Sequence, residues 1–440
     1  MAALLFVWSW DLYNDRYGET PVPSDLAERA LTYLDRSLRL EEEAAVQPEI
    51  IRQTLFGSGY DEVLEEAKDA LESLSDEDTP DEAVLRSFAV TCAESGTPLD
   101  DLSGLDDGSI AILSGEQPTG KQIDELASRL GDRTTSNWWD AKLAEKALLT
   151  VDNPALSRAL AFHQKQSRHL FRTQLVCSAV NWLVLVVGLF FIPHAFRVIR
   201  RGWTGASLHR PTRYASRWEP TLVIALLLAG DLLANYGIDE VYYLADGLHY
   251  DLGIAFPFNV FMDSLWRIAA PVIALVVLFR KPSHAVRSLG LDKKPDWKLI
   301  LAVFSVVSWS AYGFNIAIEP WMDFDPTGGI DPMESGWGGL FYGLLSACVL
   351  APVFEEIFYR GILFRGLLLK FGFWLSATIA TLAFVLAHSY DFFGLVTIGI
   401  FGFAMTVVYR TTGSLTTAIV LHCLYNFTIT LPDWLLYHAP

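Results

Sequence analysis

Two adjacent glutamates, Glu355 and Glu356, lie at the end of an apolar run that is long enough to span a bilayer. Carboxylates at membrane depth are energetically expensive, so they need partners or a chemical function. Glu356 and Arg360 are four residues apart and share one face of a helix, which predicts a buried ion pair. Glu355 is rotated by about 100° from Glu356 and has no such partner nearby in the sequence, so we expect it to face a cavity.

Two later apolar segments carry further polar groups. Phe384 and His388 are four residues apart at the end of one segment, and His422 and Asn426 have the same spacing in the next. Residues at this spacing lie on one helix face. A carboxylate, two imidazoles and an amide that project from three intramembrane helices can bind and activate water. The sequence therefore predicts a hydrolytic site inside a membrane.

The order EExxxR, FxxxH and HxxxN resembles the CPBP family of intramembrane proteases. That family includes the CAAX prenyl endopeptidases, which trim prenylated proteins, and relatives of bacteriocin-processing proteins. The similarity covers roughly residues 220–440. It implies that Glu355 is the general base, that His388 and His422 orient water or ligate a metal, and that Asn426 donates its amide to the oxyanion.

The remaining motif residues are expected to support that site. Glu356 and Arg360 are interpreted as a structural pair that positions Glu355, and Phe384, one turn before His388 on the same helix face, is also expected to support the site. Each polar residue also has a simpler explanation, because a single buried histidine is usually a core residue and a single asparagine usually joins two helices. Taken together, these separate explanations are less convincing, because four unrelated packing residues would have to occur in the order and spacing of one family's motifs.

The resemblance leaves a metal cofactor open. Glu355, His388 and His422 would form a common zinc-binding set. The sequence has no HExxH motif, and a glutamate can activate water without a metal. Zinc and the absence of any cofactor both remain compatible with the sequence.

Other intramembrane protease classes fit less well. A presenilin-type aspartyl protease requires a YD motif followed by GxGD, but Gly230-Asp231 precedes Tyr390-Asp391 and lacks the earlier glycine. Neither Ser207 nor Ser414 has the GxSG context of a rhomboid-type site. Arg267 is a second ionisable residue in an apolar segment, and we expect it either to pair with Asp231 or to contact a substrate carboxylate.

Charge and hydropathy divide the chain into two unlike parts. Residues 1–165 hold 33 of the 51 acidic residues but only 14 of the 33 basic ones, and the net charge is −18. We therefore predict an acidic, soluble helical domain at residues 1–170, a first span with a basic loop at 171–219, and a protease core at 220–440. Such acidity argues against nucleic acid or anionic lipid as a partner of the first domain. Its protein partner is not indicated.

The apolar segments predict an all-α, polytopic membrane bundle of about eight spans behind the N-terminal helical domain. The predicted spans are residues 173–194, 219–236, 260–280, 298–318, 337–358, 372–388, 391–410 and 414–434.

The loops between these spans alternate in charge. Basic residues follow the first, third, fifth and seventh spans, whereas the loops near 239–251 and 319–336 contain no lysine or arginine. The positive-inside rule places the basic loops in the cytoplasm and the acidic domain outside it. Translocation of so long a domain is unusual, which favours an additional helix upstream of Met1. The first ten residues are too short to span a bilayer and resemble an interfacial anchor or the end of such a helix.

These observations lead to one functional hypothesis and one alternative. The leading hypothesis is an endopeptidase of the lipid bilayer, in a bacterial inner membrane, that hydrolyses membrane-associated or prenylated CAAX-type peptides with a water activated by Glu355. The alternative is a non-catalytic scaffold or immunity-type protein with the same fold.

The depth of His388 in the bilayer is a difficulty for the predicted site, because His388 lies near the outer face if its helix crosses the bilayer straight. We expect that helix to tilt, or the two flanking spans to be short and recessed.

Overall fold

The computed structural model describes residues 23–49, 59–75, 81–98, 104–204, 219–245, 255–279, 281–318, 336–388, 390 and 392–438. Within these ranges the regular secondary structure is entirely helical. The prediction of an all-α protein is therefore confirmed. The apolar stretch at residues 1–10, which we interpreted as an anchor, lies outside the described residues.

The N-terminal part of the chain consists of short amphipathic helices followed by one long helix. They are α1 (Pro23–Ala45), α2 (Tyr60–Ser75), α3 (Glu82–Ser95), α4 (Asp107–Leu113), α5 (Gly120–Gly131), α6 (Trp138–Leu148) and α7 (Pro154–Leu189). Local signals set their ends. Thr119 and Gln122 form a reciprocal capping box at the start of α5, and Gly96 ends α3 in the left-handed conformation that favours glycine.

These helices share one hydrophobic core. Its fully buried members include Leu34, Leu71, Val90, Leu126 and Trp138. Residues from α1 to α6 and the start of α7 therefore fold around a common centre. The described residues of Pro21–Ala179, together with Gly336 and those of Pro432–Pro440, form one compact unit.

The second unit comprises the described residues of Val180–Trp321 and Trp337–Leu431. It contains the end of α7, then α8 (Ile192–Thr204), α9 (Pro220–Ala245), α10 (Ala255–Leu278), α11 (Pro282–Leu289), α12 (Trp297–Ile318), α13 (Gly336–Leu345), α14 (Ala351–Glu355), α15 (Arg365–Leu386), α16 (Phe392–Thr412) and most of α17 (Leu415–Asp433). Between α13 and α15 the helix is π-helical at Ser346–Leu350 and at Glu356–Phe364.

Seven helical segments in the described part of the chain are long and apolar enough to cross a membrane. This makes the protein an integral, multi-pass membrane protein. One of the seven, Gly336–Leu386, has 51 residues, or about 76 Å, more than twice the thickness of a bilayer's hydrocarbon core. Gly372 interrupts it with φ 69° and ψ −178°, a conformation outside the helical region. The predicted spans 337–358 and 372–388 both lie in this single kinked segment.

The C-terminal segment, Trp434–His438, packs into the N-terminal unit. Tyr437 lies against Tyr33, with ring centroids 6.3 Å apart. Leu436 shares a small apolar cluster with Leu40 of α1 and Phe171 of α7.

Candidate active site

The two glutamates lie where the helix changes type. Glu355 is the last residue of α14, and Glu356 begins the π-helical segment Glu356–Phe364. Single π-helical stretches are uncommon and frequently occur at functional sites. The Arg360 Nη1 nevertheless donates to Glu356 Oε1 at 2.9 Å, and both side chains are fully buried. The predicted ion pair is therefore present.

Arg360 connects the first motif to the second. Its Nη2 donates to the Gly402 carbonyl of α16 at 2.9 Å. Its guanidinium carbon lies 4.4 Å from the centre of the Phe384 ring, which adds a cation–π contact to the ion pair. Phe384 is thus a direct packing partner of this arginine.

Glu356 connects the first motif to the third. His422 Nδ1 lies 3.0 Å from Glu356 Oε1, and His422 is almost fully buried. An ionised carboxylate only accepts hydrogen bonds, so Nδ1 carries the proton and donates it. In the neutral imidazole Nε2 is then the basic nitrogen. Glu356 therefore contacts His422 directly, and its predicted role in positioning Glu355 stays a prediction.

Glu355 has a partner that the local sequence did not indicate. Arg267 Nη1 of α10 donates to Glu355 Oε1 at 2.5 Å, so the expectation of an unpaired carboxylate is wrong. Arg267 also donates from Nε to Asp263, at 2.9 and 3.1 Å. The other oxygen of Glu355, Oε2, lies 4.0 Å from His422 Nε2. This gap is wide enough for one water that bonds to both atoms.

His388 follows the end of α15. Its Nδ1 lies 2.7 Å from the Phe384 carbonyl oxygen; because a carbonyl only accepts, Nδ1 donates and Nε2 is again the basic nitrogen. The part of α15 after Gly372 is only about 21 Å long, shorter than the bilayer core. The expectation that this helix tilts, or that its flanking spans are short and recessed, stays a prediction.

Asn426 is one turn beyond His422 on α17. Its Nδ2 donates to the Ala347 carbonyl at 2.6 Å, which joins α17 to the π-helical segment Ser346–Leu350. The structure thus uses one amide proton for helix packing. The second proton of the same nitrogen remains for another acceptor.

Residues 337–428 match the family model described as type II CAAX prenyl endopeptidase Rce1-like. This segment is Rce1-like. The resemblance predicted from the motifs is thereby confirmed, and all seven motif residues lie within the match. No curated protein and no solved structure matches the chain. The Rce1-like family is a protease family, and the match therefore supports a hydrolase activity for this chain.

The side chains of the Rce1-like segment do not form a metal site in this arrangement. Among the residues that the structure describes, no group of three or more His, Cys, Asp or Glu side chains is placed to hold a metal ion. Glu355, the only carboxylate of the predicted zinc set, is bonded to the cationic Arg267. A dication beside it would meet this guanidinium. The predicted set of Glu355, His388 and His422 therefore does not fit a metal here.

Sequence reasoning missed two contacts with the Rce1-like motifs. Arg267, which we expected to pair with Asp231 or with a substrate carboxylate, bonds to Asp263 and Glu355. The i, i+4 spacing of Asp263 and Arg267 was a usable signal, because it places both on one helix face. Gly402 has no such signal, since its role depends on a close contact between three separate helices.

We expect Gly402→Ala to destabilise the Rce1-like segment. A Cβ at residue 402 would lie 2.9 Å from the Phe384 ring and 3.0 Å from Arg360 Nη2, and overpacking of this kind costs about 1–3 kcal/mol. Thermal unfolding of the purified protein in detergent measures the effect. Gly313→Ala is the matched control, because its Cβ would meet no atom within 4 Å. Equal melting temperatures for both variants would contradict the tight contact.

Proposed function

We propose that the chain is an intramembrane endopeptidase in which Glu355 and His422 activate a water for peptide-bond hydrolysis. The observation that carries the proposal is the 4.0 Å separation between Glu355 Oε2 and His422 Nε2. A water that occupies this gap at about 2.8 Å from each atom would be held by two basic groups at once. The Rce1-like match at residues 337–428 supports peptide-bond hydrolysis as the reaction class.

The proposed reaction uses the free oxygen of Glu355. Glu355 Oε2 accepts a proton from the water while the water oxygen attacks the scissile carbonyl carbon. Glu356 keeps His422 in the tautomer with a basic Nε2, so the imidazole orients the water. The second amide proton of Asn426 and the His388 imidazole are the groups proposed to face the developing oxyanion. Glu355 then returns the proton to the leaving amine.

The burial of the site fits this role. Glu356 and Arg360 are fully buried, whereas the Glu355 side chain retains 12% of its exposure. A partly accessible carboxylate can meet water and substrate, whereas the buried pair can only hold its neighbours in place. The proposed division of labour is therefore a reacting Glu355 in front of a fixed Glu356.

The proposed substrates are peptides held at the membrane, including prenylated CAAX-type C-termini. Purified protein in proteoliposomes should be incubated with a farnesylated peptide with a CAAX ending and with the same peptide lacking the prenyl group. Mass spectrometry of the products locates the cleaved bond, and a Glu355→Gln preparation serves as the blank for contaminating proteases. We expect cleavage of the membrane-held peptide above this blank.

The competing function is a non-catalytic scaffold or immunity-type protein with the same helices. It is favoured if neither peptide is cleaved by the intact protein under conditions in which it remains folded. Cleavage of the unprenylated peptide at the same rate would instead show that the enzyme does not require a prenyl group on its substrate.

We further propose a bacterial inner membrane location with the acidic N-terminal helices outside the cytoplasm, on the basis of the alternating basic and acidic loops.

A further inference from the structure

We infer that Arg267 is a positioning residue that fixes which oxygen of Glu355 faces the water. This inference rests on the proposed function and extends it to α10, outside the Rce1-like match at residues 337–428. Arg267 is a cation within an apolar helix of the membrane unit, where an ionisable side chain requires a partner. Both of its acceptors are carboxylates, Asp263 and Glu355.

Different nitrogen atoms of the Arg267 guanidinium bind the two carboxylates. Nε donates to Asp263, and Nη1 donates to Glu355 Oε1 at 2.5 Å. A guanidinium is planar and presents its donors in a rigid fork, so holding Asp263 also fixes the direction of Nη1. Glu355 Oε1 is thereby occupied. Oε2 is left on the side of His422 Nε2.

Asp263 is itself held from the helical run that carries Glu355. Ser346 Oγ donates to Asp263 Oδ2 at 3.1 Å. Ser346 and Glu355 belong to the same membrane segment, Gly336–Leu386. The contacts therefore form a closed path from Ser346 through Asp263 and Arg267 to Glu355, and a rotation of Glu355 would break the charge-assisted hydrogen bond between Arg267 and Glu355.

The Asp263–Arg267 pair is more exposed to solvent than the Glu356–Arg360 pair. The side chains of Asp263 and Arg267 retain 37% and 27% of their exposure, whereas those of Glu356 and Arg360 retain none. The Arg267 network carries one net negative charge, since two carboxylates share one guanidinium. A further substrate carboxylate at Arg267 would add to that negative charge, so the geometry favours positioning of Glu355 over recognition of a peptide C-terminus.

The test compares Arg267→Gln and Arg267→Lys with the intact protein in the proteoliposome assay. We expect Arg267→Gln to lower kcat about 100-fold while KM changes less than threefold, because a misplaced base slows the chemical step without loosening substrate binding. Arg267→Lys should lose less, since a point charge keeps the attraction but not the fork. Arg287→Gln is the matched control, because Arg287 is an exposed arginine of the same unit.

A second measurement tests the contact without catalysis. Melting temperatures are determined for Arg267→Gln, Glu355→Gln and the double variant. Arg267→Gln leaves the Glu355 carboxylate without its cation, and the double variant removes that carboxylate charge as well, so we expect the double variant to melt higher than the sum of the two shifts predicts.

Wild-type kcat in Arg267→Gln, or additive melting shifts, would overturn the inference while leaving the proposed function intact. Absence of cleavage by the intact protein, with non-additive melting shifts, would instead overturn the proposed function and reduce Arg267 to a structural partner.

Discussion

Replacing Glu355 by glutamine is expected to lower kcat/KM for peptide cleavage about 1,000-fold. The amide has nearly the same shape as the carboxylate but cannot accept a proton from water, and general-base catalysis typically contributes about 10²–10⁴ in rate. Glutamine can still accept the hydrogen bond from Arg267, so the local packing should persist. Initial rates on the membrane-held peptide, with circular dichroism to confirm helicity, measure the effect.

Glu219→Gln is the control for the Glu355 variant. Glu219 is an exposed glutamate that pairs with Lys370 in the same unit, and exposed pairs contribute little to stability. Its removal should leave the rate within about twofold of the intact protein. Equal loss of activity in both variants would indicate a general effect on folding, and full activity of Glu355→Gln would remove Glu355 as the base.

Replacing Arg360 by methionine is the second large expected effect. The substitution leaves Glu356 as a buried carboxylate without its cation, and breaking such a pair by removing one partner costs about 3–5 kcal/mol. The lost contacts to Gly402 and Phe384 add to this. Unfolding in detergent should therefore shift to much lower temperature, and activity should fall with it.

A double variant separates stability from catalysis in this pair. When Glu356 and Arg360 are both replaced by methionine, no unpaired charge remains, and apolar replacement of a buried ion pair is often close to neutral. We expect stability to return while activity stays at least about 100-fold low, because His422 has lost the acceptor of its Nδ1 proton. Recovery of activity together with stability would show that Glu356 has only a packing role.

The sequence predicts those parts of the site that depend on contacts within one helix. The spacing of Glu356 and Arg360 was sufficient for their ion pair, and the apolar segments were sufficient for the membrane helices. Contacts between different helices could not be predicted from the spacing of residues within one segment. The Arg267 bond to Glu355 and the Glu356 bond to His422 depend on how separate helices meet, which the pattern of one segment does not specify.

Backbone irregularities account for the remaining differences. The π-helical segments have no simple local signal in the sequence, whereas glycine permits the left-handed backbone at residue 372. Hydropathy separated 337–358 and 372–388 as two spans, and the non-helical backbone at Gly372 likewise separates two helices within the segment Gly336–Leu386. The depth of His388 was predictable only as a choice between a tilted helix and short, recessed flanking spans, and this choice stays a prediction.

The packing of Leu436 and Tyr437 against α1 and α7 determines how the protein can be divided. A single cut after residue 179 would not yield two self-contained fragments, because it would separate Leu436 from the small apolar cluster that it forms with Leu40 and Phe171. The membrane fragment would end in an exposed apolar segment with Leu436 and Tyr437, and the N-terminal fragment would expose Leu40 and Phe171. Anyone preparing the bilayer-embedded portion alone should therefore also stop the chain near residue 431.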